Sequence, residues 1–172
     1  MRKEAFRQGS VLDFPYMYRF RILAVGPLHH DYAKEAAAEY AKRLRPYAKI
    51  EVEEVEKRSF RSLSERDRTV GVEGAHLVAH LTNDEFVVAL DETGKTVDSQ
   101  KFAQLLKREG ETGRIVTFLI GGPLGLSAET KSAAHLTLSL SPLTFPHEMA
   151  RVVLLEQLYR AMTILSGKTY HY

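Results

Sequence analysis

The feature that most restricts the fold is a single run. Ile115 to Ile120 reads as a continuous apolar strand and passes without a break into Gly121-Gly122-Pro123-Leu124-Gly125. A strand without polar alternation has to be covered on both faces. That is the situation in parallel sheets, where crossover connections lay helices on either side. The glycines then end the strand in a tight turn.

The rest of the chain supplies the alternation that such a sheet needs. The run from Tyr18 to Val25 reads as a strand stopped by Gly26-Pro27, and Asp31 can cap a helix through Leu44, with Pro46 just beyond its end. Ile50, Val52 and Val55 mark a second strand, and the serine-rich, charged stretch from Lys57 to Arg68 reads as a mobile basic loop. Leu77, Val78 and Leu81 close a helix, Phe86 to Leu90 is a short strand, and Asp98 or Ser99 caps a helix carrying Phe102, Leu105 and Leu106. A short helix near Ala128 to Ala134 and a strand at Leu136 to Leu140 follow. Pro146 fits the first position of a helix reaching about Leu165. This order predicts an α/β fold, an open, mostly parallel sheet with helices on both faces. Residues 17–172 read as one domain, while residues 1–16 have neither helical nor strand periodicity and read as an N-terminal extension.

Composition narrows the chemistry. With 172 residues and 44% hydrophobic content the chain can bury one real core. It has no cysteine, so disulfides, thiolate metal sites and a cysteine nucleophile are all excluded. No apolar run approaches the roughly 20 residues of a membrane span, and no signal-peptide pattern is present, so a soluble, cytoplasmic protein is expected. A formal charge of +2 permits a nucleic-acid partner without demanding one.

In open α/β sheets ligands bind beyond the carboxyl ends of the strands, so the loops after Ile120 and Leu140 are the natural cradle. Gly121, Gly122 and Gly125 would let backbone N–H groups approach a ligand, although a plain tight turn uses the same residues. No lysine and Ser/Thr pair follows, so this is not a phosphate loop, and the dinucleotide fingerprint is missing too. Leu140-Ser141-Pro142-Leu143-Thr144-Phe145 could wrap an adenine, or could simply connect a strand to a helix. His147 and Arg151 are one helical turn apart, within reach of an RNA phosphate or base, but also typical of a solvated first turn. The tail, Gly167 to Tyr172, carries two tyrosines around His171 and could stack on an unpaired base or fray. The remaining histidines are not spaced for a closed metal site, and no metal is assigned.

With these residues in place, the chain resembles the ribosomal RNA large-subunit methyltransferase H family, a branch of the knotted SPOUT superfamily, from about Tyr18 to the end. The resemblance is carried by Leu-Ala-Val-Gly at 23–26, Ile-Gly-Gly-Pro-Leu-Gly-Leu-Ser at 120–127, the run from Leu143 to Ala161 that begins Leu-Thr-Phe-Pro-His-Glu-Met-Ala-Arg, and Tyr170-His171. The chain has Leu124 where family members often carry glutamate or asparagine.

The resemblance implies a C-terminal trefoil knot and a pocket for S-adenosylmethionine made by Leu90, Gly121, Leu140, Ser141, Pro142, Leu143, Thr144 and Phe145. It also implies methylation at N3 of a pseudouridine in large-subunit ribosomal RNA, on the assembled ribosome, with no metal. His147, Arg151, Tyr170 and His171 are the implied candidates for positioning or proton removal. A homodimer is implied as well, and Val152, Leu155 and Tyr159 offer either its interface or intramolecular packing. The competing expectations are a noncatalytic RNA-binding or ribosome-associated module using Arg58, Arg61, Arg66 and Arg68, and a small-molecule enzyme or nucleotide binder of open α/β type.

Overall fold

The computed structural model describes residues 18–168. The extension at 1–16 and the tail residues Tyr170 and His171 lie outside the described residues. Five strands, β1 (Tyr18–Val25), β2 (Ala48–Val55), β3 (Glu85–Thr96), β4 (Ile115–Ile120) and β5 (Leu136–Ser139), alternate with helices α1 (Asp31–Leu44), α2 (Arg66–Ala79), α3 (Ser99–Glu111), α4 (Ala128–Ser132) and α5 (His147–Leu165). All strand pairs are parallel, in the order β2-β1-β4-β3-β5.

Helices cover both faces, as the uninterrupted strand requires. Phe20, Val88 and Phe118 point into a core closed by α1, α3 and α5, with Leu44, Leu106, Leu154 and Leu158 fully buried. The residues in alternate register, Leu23, Val87 and Leu119, pack on the other side against Leu77 of α2 and Leu126. β4 lies between β1 and β3, so its side chains are buried whichever way they point. Leu155 belongs to the first core at 1% exposure, and Val152 and Tyr159 pack against it, so for Leu155 the intramolecular reading is the correct one.

Several boundaries differ from the sequence reading, each for a local reason. Asp31 lies in the first turn of α1 rather than at its cap, which is His30 in extended conformation with no side-chain bond. Pro146 is at the N-cap of α5 with ψ 141°, so the helix begins one residue later, at His147. Arg66 and Arg68 belong to α2, which a short 3-10 turn at Leu63–Glu65 leads into, so the basic loop is shorter than its composition suggests. β3 runs on past Leu90: after an excursion through Asp91–Gly94, Lys95 returns to pair with Leu138, which Leu90 also faces. Gly94 permits this crossing, because a Cβ there would sit 2.7 Å from the Leu138 carbonyl carbon.

Candidate active site

The register of the sheet puts three strand ends together. Leu90 pairs with Ile120 on one side and Leu138 on the other, so the segments that follow them emerge side by side. They enclose a cavity of about 690 Å³. Its lining comes from Leu90, Asp91 and Glu92 after the first half of β3, from Ile120 to Gly125 after β4, and from Leu140, Ser141, Leu143, Thr144, Phe145 and Pro146 after β5. His147 and Ala150 of α5 and Arg66 of α2 complete it.

The glycine segment is a closed turn. Gly125 donates its N–H to the Gly122 carbonyl at 3.0 Å and has φ +82°, a left-handed conformation that glycine adopts without strain. A Cβ at Gly121 would lie 2.6 Å from the Gly125 carbonyl carbon and oxygen, so residue 121 has to be glycine for the turn to close. The opposite wall braces itself: the Ser139 hydroxyl donates to the Ser141 carbonyl at 2.8 Å, and the Leu143 N–H donates to Ser141 Oγ at 3.0 Å. Leu143 and Phe145 remain exposed, at 74% and 37%. Among the residues expected from sequence, Leu90, Gly121, Leu140, Ser141, Leu143, Thr144, Phe145 and His147 all line the cavity. Pro142 is exposed and outside the lining.

His147 and Arg151, one turn apart, have different surroundings. His147 is half-buried on the cavity, and its Nε2 is buried without a hydrogen-bond partner. Burial, and then the charge of Lys57, lower its pKa from the usual 6.5, which keeps the ring neutral at neutral pH. Arg151 is 3% exposed and points the other way. Its guanidinium donates to Glu54 Oε1 at 2.5 Å and to the Gly26 carbonyl at 2.7 Å. It fastens the first half of α5 to the ends of β1 and β2.

Glu148 fastens the same helix to the loop that follows β1. It accepts the N–H groups of His29 and His30 at 2.9 and 3.1 Å, and the His30 ring approaches it at 3.1 Å. Burial alone would raise its pKa, but the His30 and His29 N–H groups and the His30 side chain outweigh it and hold the carboxyl at about 2.

Sequence reading missed Asp91, Glu92 and Arg66 as wall residues. Asp91 is fixed by Lys131, whose ammonium donates to Oδ2 at 3.2 Å, and by Thr93. The available signal was the charged pair directly after an apolar strand, at the end of the sheet where ligands bind. Arg66 required knowing how α2 packs.

Comparison with known proteins agrees with this architecture. Residues 18–171 match the family model described as "Predicted SPOUT methyltransferase". The chain is 45% identical over 163 residues to Ribosomal RNA large subunit methyltransferase H of Pelotomaculum thermopropionicum, an alignment covering 91% of this chain and 100% of that one. It is 42% identical over 154 residues to the protein of the same name from Carboxydothermus hydrogenoformans, covering 87% and 97%. A crystal structure of a probable methyltransferase from Bordetella pertussis superposes with a TM-score of 0.57 over 84% of this chain and 95% of that one. At 16% identity it supports the fold alone. With its parallel sheet and glycine-walled cavity, the chain belongs to the SPOUT methyltransferase family and, within it, to the ribosomal RNA large-subunit methyltransferase H group.

Proposed function

We propose that this protein transfers a methyl group from S-adenosylmethionine to N3 of a pseudouridine in large-subunit ribosomal RNA. On this reading it acts in the cytoplasm on the assembled ribosome, as a homodimer whose C-terminal segment forms a trefoil knot. The observation that carries the reading is the convergence of the glycine turn, the Leu140–Phe145 wall and His147 on one cavity. Membership of a group whose curated relatives are named for ribosomal RNA methylation supports the substrate class.

The residues present fit a nucleoside-sized donor. A volume of about 690 Å³ is within the roughly 300–1,000 Å³ usual for small-molecule sites, and the lining mixes apolar side chains with backbone groups. Leu90, Gly121 and the Leu140–Phe145 segment would hold the donor, the glycine leaving backbone accessible where a side chain cannot fit. When bound, the donor would supply an electrophilic methyl on a sulfonium, the S–CH3 bond breaking to leave a neutral thioether as an N3–CH3 bond forms, with the N3 proton passed to a base.

The protein's own part is alignment and proton handling. His147, neutral and on the cavity wall, is suited to accept the N3 proton. Arg151 and Glu148 act through position, holding His147 against the wall by fixing α5 to β1 and β2. Tyr170 and His171 are proposed to approach the target base, in keeping with their chemistry. The exposed Arg61 and Arg68, with Arg66 on the cavity, provide cations for phosphate. Residues 1–16 are proposed to be an extension preceding a single methyltransferase domain. Among the described residues no helix is long and apolar enough to cross a membrane.

Titration calorimetry with S-adenosylhomocysteine, followed by methyl incorporation into ribosomes that lack the modification, tests the reading. Saturable binding by wild type, none by Gly121→Arg, and incorporation mapped to N3 of one pseudouridine are expected. Equal affinity in both proteins would remove the pocket assignment. Ribosome binding without donor binding would favour the noncatalytic RNA-binding module.

A further inference from the structure

We propose that Glu73 is a positioning residue that joins the glycine turn to the basic segment 57–68, so that occupation of the donor cavity and capture of RNA act on one buried carboxyl. The inference rests on the methyl-transfer reading above.

Glu73 lies in α2 at 2% exposure. Its Oε1 accepts the Arg58 N–H at 2.8 Å, at the root of the segment bearing Arg58 and Arg61. Its Oε2 is buried and has no hydrogen-bond partner. That side of the carboxyl lies against the glycine turn, since a methyl on Gly122 would be 3.1 Å from Oε2 and 3.5 Å from Oε1. The next residue, Gly74, has no room for a Cβ against the Thr130 and Ser127 hydroxyls, and Ser127 caps α4 directly after the turn. Two consecutive residues of α2 therefore pack on the region, Glu73 against Gly122 of the turn and Gly74 against the start of α4 that follows it, while the Glu73 carboxyl also holds the Arg58 N–H.

A leucine or methionine would fill this space without the cost of burying a carboxyl, so packing alone does not account for an acid here. Burial pushes the Glu73 pKa up, against the Arg58 N–H and the Lys57 charge, and the neutral form eases that cost. What the acid supplies is an acceptor for Arg58 within contact of Gly122. A shift of the turn on donor binding moves the carboxyl, and with it the Arg58 backbone. Linkage then makes the effect reciprocal.

The test measures the Kd for unmodified ribosomes by filter binding, with and without saturating S-adenosylhomocysteine. Wild type is expected to bind ribosomes about fivefold or more tightly when donor product is present. Glu73→Ala should bring that ratio to about one. Glu73→Gln, which keeps the acceptor, should retain it. Arg58→Pro deletes the N–H while leaving α2 intact, and decides the matter if Glu73→Ala fails to fold. It should lose the ratio that Arg58→Ala keeps.

A wild-type ratio near one, a folded Glu73→Ala with the wild-type ratio, or a Glu73→Gln as uncoupled as the alanine variant each overturns the proposal. So does an Arg58→Pro ratio equal to that of Arg58→Ala. Failure of wild type to bind S-adenosylhomocysteine at all overturns the methyl-transfer reading and this inference together. Donor and ribosome binding with an unchanged ratio overturns only this inference.

Discussion

At the residue scale, α5 carries His147 and Arg151 one turn apart. Both occupy the first turns of α5, yet one lines the cavity and the other is buried against Glu54 and the Gly26 carbonyl. Helical spacing puts them on one shared face. It could not say which neighbour would claim each side chain, because Glu54 lies 97 residues away in the chain. His147→Gln is expected to lower turnover by about a hundredfold or more while S-adenosylhomocysteine affinity stays within about twofold. The wild-type rate should fall on the acid side only below the ordinary histidine pKa, since burial lowers that of His147. Single-turnover rates against pH check both, and a turnover loss matched by an equal loss of donor affinity would remove the proton-acceptor role.

At the scale of elements, caps divide into those readable locally and those set by neighbours. The α3 cap was legible as Asp98 or Ser99, and Asp98 takes it: its carboxylate accepts the Lys101 N–H at 2.7 Å. The start of α5 was misplaced by one residue at Pro146, since proline suits both an extended cap and a first helical turn, and here ψ 141° makes it the cap. The same helix start is tied to the β1–α1 loop by Glu148. Its contacts hold its pKa at about 2, below the usual 4.5 of a glutamate, so its contribution is complete above about pH 4.5 and is lost as pH falls through 2. Glu148→Gln is expected to cost about 1.5–3 kcal/mol at pH 7, with the gap to wild type narrowing from pH 4.5 downwards. Urea denaturation at a series of pH values measures it, and a gap constant with pH would contradict the assigned carboxylate contacts.

For the whole molecule, the parallel sheet makes the site. The first half of β3 ends level with β4 and β5 because the register aligns Leu90, Ile120 and Leu138, and β3 then passes close over β5 at Gly94. Arg61 and Arg68 are exposed on the segment leading into α2 and on its first turn. Replacing both with alanine should reduce the slope of log ribosome affinity against log salt by roughly 1.5, with donor affinity unchanged. Affinity measured across a salt series reads this, and an unaltered slope would place the RNA contact elsewhere.

Much of this protein was determined by sequence alone. The uninterrupted strand at 115–120 demands cover on both faces, and the alternation of elements around it specifies an open α/β sheet with a core on each side. The glycine turn and the Leu140–Phe145 wall were also legible, because ligand sites in such sheets gather at the carboxyl ends of the strands. Tertiary structure decided the rest: that Arg151 faces inward, that Asp91, Glu92 and Arg66 complete the cavity, and that Glu73 lies beneath the glycine turn. Periodicity fixes which face of an element a residue occupies. What that face meets depends on strand order and crossover geometry, which bring together side chains far apart along the chain.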